Sequence, residues 1–169
     1  MTDLPTLLAR MTVRVLSPDR RIRAEIRSRA PARVSFATPD AFRSYRDTAA
    51  LAAQLSEVIS SAAAGAERGR TMLMSEHTRL TPVTDSHWDG RMRRFQQSAA
   101  SLSTEGISPR RVVRVTTVGP LRWRVHVVPG STGRFDGSSF CAEVNAAVAE
   151  AARLHAEALY ALRREFFPA

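Results

Sequence analysis

A repeat with a period of about ninety residues constrains the fold of this chain more than any other feature. Alternating apolar segments in the first half recur in the second at a shift of 91 positions, and an apolar helical stripe recurs at a shift of 89. Equivalent patterns favour equivalent elements, so two similar units in tandem are predicted. The matched pairs are Ile22 with Val113, Ala24 with Val115, Val34 with Val125, Phe36 with Val127, Pro39 with Pro129, Leu51 with Phe140, Leu55 with Val144, Val58 with Ala147, Ile59 with Val148 and Ala62 with Ala151.

The alternative is a chance likeness, since any two strand–strand–helix segments share such patterns. The shared proline and the five matched helix positions favour the repeat. A small sheet with one covering helix is marginal alone, so two units that pair and bury a common core are expected to form a pseudo-dimer in one chain.

Short alternating segments predict the strands. Residues 12–37 contain three such segments separated by turn-forming residues, which is typical of a three-stranded meander with one buried face. Residues 111–128 repeat the alternation around Gly119 and Pro120, which predict the turn between two strands.

The first long helix is predicted to follow Asp47, a suitable N-cap residue. Gly65 and Gly69 weaken its far end, because glycine lowers helix propensity. Residues 71–85 are therefore interpreted as a connector.

Two more helices are predicted in the second half. One begins near Ser86 and is broken over residues 105–109. The other runs from about Ser139 to Phe166 with a continuous apolar stripe. The predicted fold class is thus α+β: two units, residues 1–84 with a connector and residues 85–169, each a small antiparallel sheet of two to three strands covered by a long helix.

The net charge of the chain limits the classes of partner that it is expected to bind. The formal net charge is +9, and all 25 basic residues are arginines. A protein this basic is attracted to nucleic acid, anionic membrane or an acidic protein. The single cysteine, the lack of a long apolar segment and the non-basic start favour a soluble cytoplasmic protein.

Two stretches resemble the YbaB/EbfC nucleoid-associated family. They are residues 33–40 with the helix that contains 51–55, and residues 124–129 with the helix after them. In this resemblance the predicted helix at 86–103 stands in the place of the family's first helix, and Leu4 to Ala9 is a shortened copy of it.

The resemblance implies a tandem, pseudo-dimeric form of a family whose members are usually single units that dimerise. It implies a fold of two YbaB-like units, and further homo-oligomerisation stays open. Actinobacterial proteins encoded with type VII (ESX) secretion systems include relatives of this shape, and the Ser17-Pro18-Asp19 turn is similar to theirs.

Arginines concentrate in the strands and in the predicted helix at 86–103. Eight lie between residues 9 and 36, and eight more lie between residues 91 and 124. They predict a surface that binds phosphates or an acidic partner; the alternative is that they only solvate the outer faces of half-buried strands. The candidate binding residues are Arg21, Arg23, Arg27, Arg33, Arg91, Arg94, Arg114, Arg122 and Arg124.

No catalytic, cofactor or metal site is predicted. Cys141 has no histidine nearby in sequence and is interpreted as a packing residue, and the four histidines lack metal-ligand spacing. The leading hypothesis is a non-enzymatic, nucleoid-associated protein that binds DNA largely without sequence preference. The alternative is an adaptor or chaperone linked to type VII secretion that binds an acidic protein client, since arginine attracts carboxylates as well as phosphates.

Overall fold

The computed structural model describes residues 3–77 and 90–168. Over these residues the chain is α+β, and the order helix, three antiparallel strands, long helix occurs twice, which confirms the predicted fold class. The first unit contains α1 (Leu4–Arg10), β1 (Thr12–Leu16), β2 (Ile22–Arg27), β3 (Arg33–Phe36) and α2 (Thr48–His77). The second contains α3 (Gly90–Ser101), β4 (Ser103–Ile107), β5 (Val113–Val118), β6 (Arg122–Val127) and α4 (Gly137–Phe166), with a short 3₁₀ turn (Thr132–Arg134) before α4.

The two sheets share one topology and one register. Each is an antiparallel meander in sequence order. Thr12 lies opposite Arg27 in the first sheet, and Ser103 lies opposite Val118 in the second, so the shift of 91 relates both pairs. The shared register follows from the alternation of buried apolar and exposed polar residues along the strands. A shift of one residue in strand pairing would turn the apolar side chains to solvent.

The turns between the first two strands of each sheet are also equivalent. The apolar positions that revealed the repeat did not include them. Each turn has the sequence Ser-Pro-x-Arg, and the serine is buried. The Ile22 N–H donates to Ser17 Oγ at 2.9 Å, and the Val113 N–H donates to Ser108 Oγ at 3.1 Å. The arginine that ends each turn has a positive φ, 62° in the first unit and 56° in the second.

The strand β4 corrects the prediction that residues 105–109 merely break a helix. This segment lacks apolar alternation because its inward positions, Thr104 and Gly106, are small. A Cβ atom on Gly106 would clash with the Ala147 carbonyl oxygen and lie 2.5 Å from the Ala151 nitrogen. The helix α4 therefore packs directly on the β4 backbone.

The helix α2 corrects the prediction of a connector from residue 71, because it continues to His77. Gly65 and Gly69 do not end it; they let it approach β1. A Cβ atom on Gly65 would lie 3.1 Å from Val13 Cγ1, and one on Gly69 would lie 3.0 Å from Met11 Sδ. The predicted N-cap is confirmed at the other end, where Asp47 Oδ1 accepts the Ala49 N–H at 2.9 Å.

Part of the predicted second helix lies outside the described residues. Its predicted start near Ser86 and the predicted boundary between residues 84 and 85 both lie outside them. Within the described part, the helix α3 ends at Ser101 and leads into β4.

One hydrophobic core joins the two units. The helix α2 packs on β1 and β2 of its own sheet and on β6 of the other, and α4 packs on β4, β5 and β3. All ten matched helix positions are buried. Each long helix thus covers the first two strands of its own sheet and the third strand of the other unit's sheet.

Side chains from each long helix bind the outer edge of the other unit's third strand. The Asn145 amide on α4 accepts the Val34 N–H at 2.7 Å and donates to the Val34 carbonyl at 3.1 Å. On α2, Ser56 Oγ accepts the Val125 N–H at 2.8 Å, and Ser60 Oγ accepts the Trp123 N–H at 3.0 Å. These bonds cover two strand edges and leave the outer sheet faces to solvent.

Candidate functional site

The outer face of the first sheet is rich in arginine because polar residues alternate with the buried apolar ones. Arg23, Arg27 and Arg33 are all exposed on this face. Arg14 on β1 is exposed there as well, although the prediction did not include it; the alternation of β1 contains the same signal.

A single carboxylate holds two of these arginines. Glu25 lies on β2 opposite Arg14, whose Nε is 2.5 Å from a Glu25 oxygen, and it also pairs with Arg27. The hydrogen bonds from Arg14 and then Arg27 lower the pKa of Glu25 below its ordinary value. Part of the positive charge on this face is thus compensated within the sheet.

The arginines of the first face line a shallow pocket of about 490 Å³. Arg23, Arg27 and Arg33 contribute to its wall, and Asn145 reaches it from α4 while it binds the edge of β3. A small anion in this pocket would meet three guanidinium groups and one carboxylate, Glu25.

The second sheet has a pocket of the same volume, about 490 Å³, at the equivalent place. It is lined by Arg122, Arg124 and Trp123 on β6 together with residues of β5. The shift of 91 carries Arg33 of the first pocket onto Arg124 of the second. The repeat therefore places two basic pockets at equivalent positions, with one arginine position in common.

The two faces share some charges and differ in others. Arg23 and Arg114 occupy equivalent outward positions, as do Arg33 and Arg124. Elsewhere the repeat has diverged, and the pairs that differ are Arg14 with Glu105, Glu25 with Thr116 and Arg27 with Val118. The Glu105 carboxylate lies 3.7 Å from Arg114 Nε.

Within the described chain, four of the predicted arginines on the two sheet faces have no carboxylate within 4 Å. They are Arg23, Arg33, Arg122 and Arg124. All four are exposed and belong to the two sheet faces. Their charge is open to an external anion.

Arg21 belongs to a different cluster, at the β1–β2 turn. Its guanidinium lies 5.7 Å from the centre of the Tyr45 ring, and Tyr45 donates to Asp19. Burial alone would raise the pKa of Asp19, but hydrogen bonds from Ser17, Tyr45 and the Arg21 N–H together lower it. Arg21 therefore also supports the turn.

Arg91 and Arg94 lie on α3, separate in sequence from both sheet faces. Both are exposed. The helix α3 packs on α4, where the Phe95 ring contacts Phe166 and Phe167 at centroid distances of 5.9 and 5.5 Å. The structure thus distributes the nine predicted residues over two sheet faces, one turn and one helix.

Cys141 is half-buried in the first turns of α4. Burial raises the pKa of its thiol to about 11, and a backbone hydrogen bond from Phe36 opposes this effect only in part. The thiol is protonated at neutral pH and is a weak nucleophile there.

Within the described ranges 3–77 and 90–168, no group of three or more His, Cys, Asp or Glu side chains is arranged to hold a metal ion. No described helix has the length and apolar character needed to cross a bilayer.

Comparison with known proteins identifies no relative of this chain. No family model matches it, and neither a curated protein nor a solved structure matches it.

Proposed function

We propose that this chain is a non-enzymatic, YbaB/EbfC-like protein that binds duplex DNA through its phosphates with little sequence preference, in the cytoplasm at the nucleoid. The observation that carries the proposal is the matched pair of arginine pockets on the outer faces of the two sheets. Their exposed arginines include four without a carboxylate neighbour in the described part of the chain.

The chemistry of these residues supports a phosphate ligand. A guanidinium presents a planar fork of N–H donors that matches two phosphate oxygens. Each neutralised phosphate also releases condensed counterions, which favours binding at low salt. Contacts of this kind position a protein on DNA but carry no sequence information, so weak sequence preference is expected.

The test compares two double variants of equal charge. Arg33→Gln with Arg124→Gln removes one arginine from each pocket, whereas Arg163→Gln with Arg164→Gln removes two exposed arginines near the end of α4. Affinity for random-sequence duplex is measured over a series of salt concentrations. The pocket variant is expected to bind about tenfold more weakly and to lower the salt slope by about 2, since each contact contributes about 0.9.

The control variant is expected to bind like the parent protein, because its arginines lie outside both pockets. Equal weakening of both variants would mean that binding follows net charge alone and would contradict the proposed site. No duplex binding by the parent protein at about 0.15 M salt, where exposed charges are screened beyond about 8 Å, would contradict DNA binding altogether.

The second candidate function is that of an adaptor or chaperone that is linked to type VII secretion and binds an acidic protein client. It is favoured by the carboxylates already held on these faces, Glu25 by two arginines and Glu105 by Arg114. Poly-glutamate offered in competition with duplex separates the two functions. An adaptor would retain poly-glutamate and bind duplex weakly even at low salt.

A further inference from the structure

A largely apolar cavity of about 710 Å³ lies between the two units. Its walls come from α2, from α4, and from the turns β2–β3 and β5–β6. The apolar lining includes Ile59, Ala63, Ala152, Ala156 and Leu159 on the helices and Trp123 on β6. Its volume is within the range of ordinary small-molecule sites.

The repeat explains why this space is open. Ala63 on α2 and Ala152 on α4 are equivalent positions at a shift of 89, and both line the cavity. The apolar lining residues of α4 run from Ala149 to Leu159, about 15 Å along the helix axis. The cavity is thus an elongated groove that matches an extended acyl chain of medium length.

The rim of the groove is basic. Arg70 is 3.2 Å from Glu67, and Arg153 is 2.7 Å from Glu157, so their charges are partly compensated at the surface. Arg29, from the β2–β3 turn, is exposed and has no carboxylate within 4 Å among the described residues. It is the rim cation most open to an anionic headgroup.

The His155 side chain also lines this groove. The Nδ1 atom of His155 is buried and has no hydrogen-bond partner in the described parts of the chain. Burial also lowers the pKa of His155, which favours the neutral ring. The neutral ring therefore brings no charge into the groove, and the open charge on the lining is that of Arg29.

We propose that this groove binds a free fatty carboxylate, with the carboxylate at Arg29 and the apolar chain between α2 and α4. Charge complementarity and the apolar length of the groove together favour an anionic single-chain amphiphile. This groove adjoins both arginine pockets, because it shares Ala30 and Pro31 with the first and Trp123 with the second. Its open cation, Arg29, lines neither of those pockets, so its proposed ligand does not depend on DNA binding.

The test titrates full-length Trp88→Phe protein with dodecanoate below its micelle concentration. In this variant Trp123, which lines the groove, is the one remaining tryptophan, so its emission reports occupancy. Because Trp123 also lines the second arginine pocket, the titration is repeated with Arg124→Gln, which changes that pocket and not the groove and should leave the response unchanged. Saturable one-to-one binding is expected, with quenching by 12-bromododecanoate. Dodecylammonium, which has the same chain and the opposite charge, is expected to bind at least about tenfold more weakly.

Matched variants locate the site. Ala156→Phe should abolish binding, because Ala156 lines the groove, whereas Ala161→Phe makes the same change at an exposed α4 position outside it. Both positions are exposed, so both variants are expected to fold, as their thermal unfolding would verify. Arg29→Gln should weaken dodecanoate about tenfold, with Arg163→Gln as its control.

Three results would overturn the proposal: no saturable response to dodecanoate, equal binding of dodecylammonium, or unchanged binding by Ala156→Phe. Binding to phosphatidylglycerol vesicles without binding to monomeric dodecanoate would also overturn it, in favour of a membrane surface. Duplex binding is measured on the same variants. A loss of dodecanoate binding is thereby distinguished from a loss of DNA binding.

Discussion

Asn145 on α4 binds Val34 on β3 by both its amide nitrogen and its amide oxygen, as a neighbouring strand would. The two residues belong to different units. The edge of the first sheet is therefore completed by a side chain from the second unit, and the stability of each unit depends on the other.

Asn145→Ala is expected to lower the free energy of unfolding by about 1–3 kcal/mol, because the Val34 N–H loses its partner at a half-buried edge. The measurement is urea unfolding. Arg163→Ala, an exposed change on the same helix, should stay within about 0.5 kcal/mol of the parent. Equal stability of the two variants would show that the edge bond contributes nothing.

Gly106→Ala is expected to destabilise the protein by about 3 kcal/mol, because the new methyl group would meet the α4 backbone at Ala147 and Ala151. Gly133→Ala is the matched control, since a Cβ atom there has no neighbour within 4 Å. Thermal unfolding of both variants checks the prediction. A small effect at Gly106 would contradict the close approach of α4 to β4.

Tyr45→Phe is expected to raise the pKa of Asp19, because it removes one hydrogen bond to the carboxylate. The pKa of Asp19 is lowered in the folded protein, so its contribution is present above the ordinary value of 3.8 and is lost as the pH falls below it. The stability difference between parent and variant should thus be largest above about pH 5 and shrink toward pH 3.

NMR titration of the Asp19 carboxyl and unfolding between pH 3 and pH 7 measure these effects. Tyr160→Phe is the control, because Tyr160 is 66% exposed. The same pH dependence in both variants would contradict a role for Tyr45 at this turn.

Cys141 is expected to react slowly with iodoacetamide at pH 8. With a pKa of about 11, only about one thiol in a thousand is ionised at that pH. The protein unfolded in guanidinium chloride is the control and should react at the rate of an ordinary thiol. Rapid alkylation of the folded protein would contradict the buried environment.

Cys141→Ser is expected to leave duplex binding unchanged, because the thiol is assigned to packing. Binding and thermal unfolding are measured on the same preparation. Loss of binding with unchanged stability would show that Cys141 has a role at the site.

The repeat made much of the fold predictable, because buried positions impose strict periodicity. Leu51 and Phe140, matched by sequence alone, are both fully buried at equivalent places. The strand β4 was missed because close packing there requires small residues, Thr104 and Gly106, and small residues give no apolar signal. The length of α2 was missed for a related reason, since Gly65 serves packing rather than termination.

The candidate site was predictable only in part. Alternation indicates that Arg33 and Arg124 point outward, and both are exposed. The pairing of Arg14 with Glu25 depends on the register of two strands, and the reach of Asn145 into the first pocket depends on packing between units. Such relationships are set by tertiary structure, so a linear pattern does not contain them.

The differences between the two sheet faces have a consequence for how such a surface changes over time. In a symmetric dimer of identical chains, one mutation alters both subunits at once, so a residue that suits one face is imposed on the other. Here Arg27 and Val118 occupy equivalent positions, and each has been free to change alone. The fused chain keeps the architecture of a dimer while its two halves are able to specialise for different ligands.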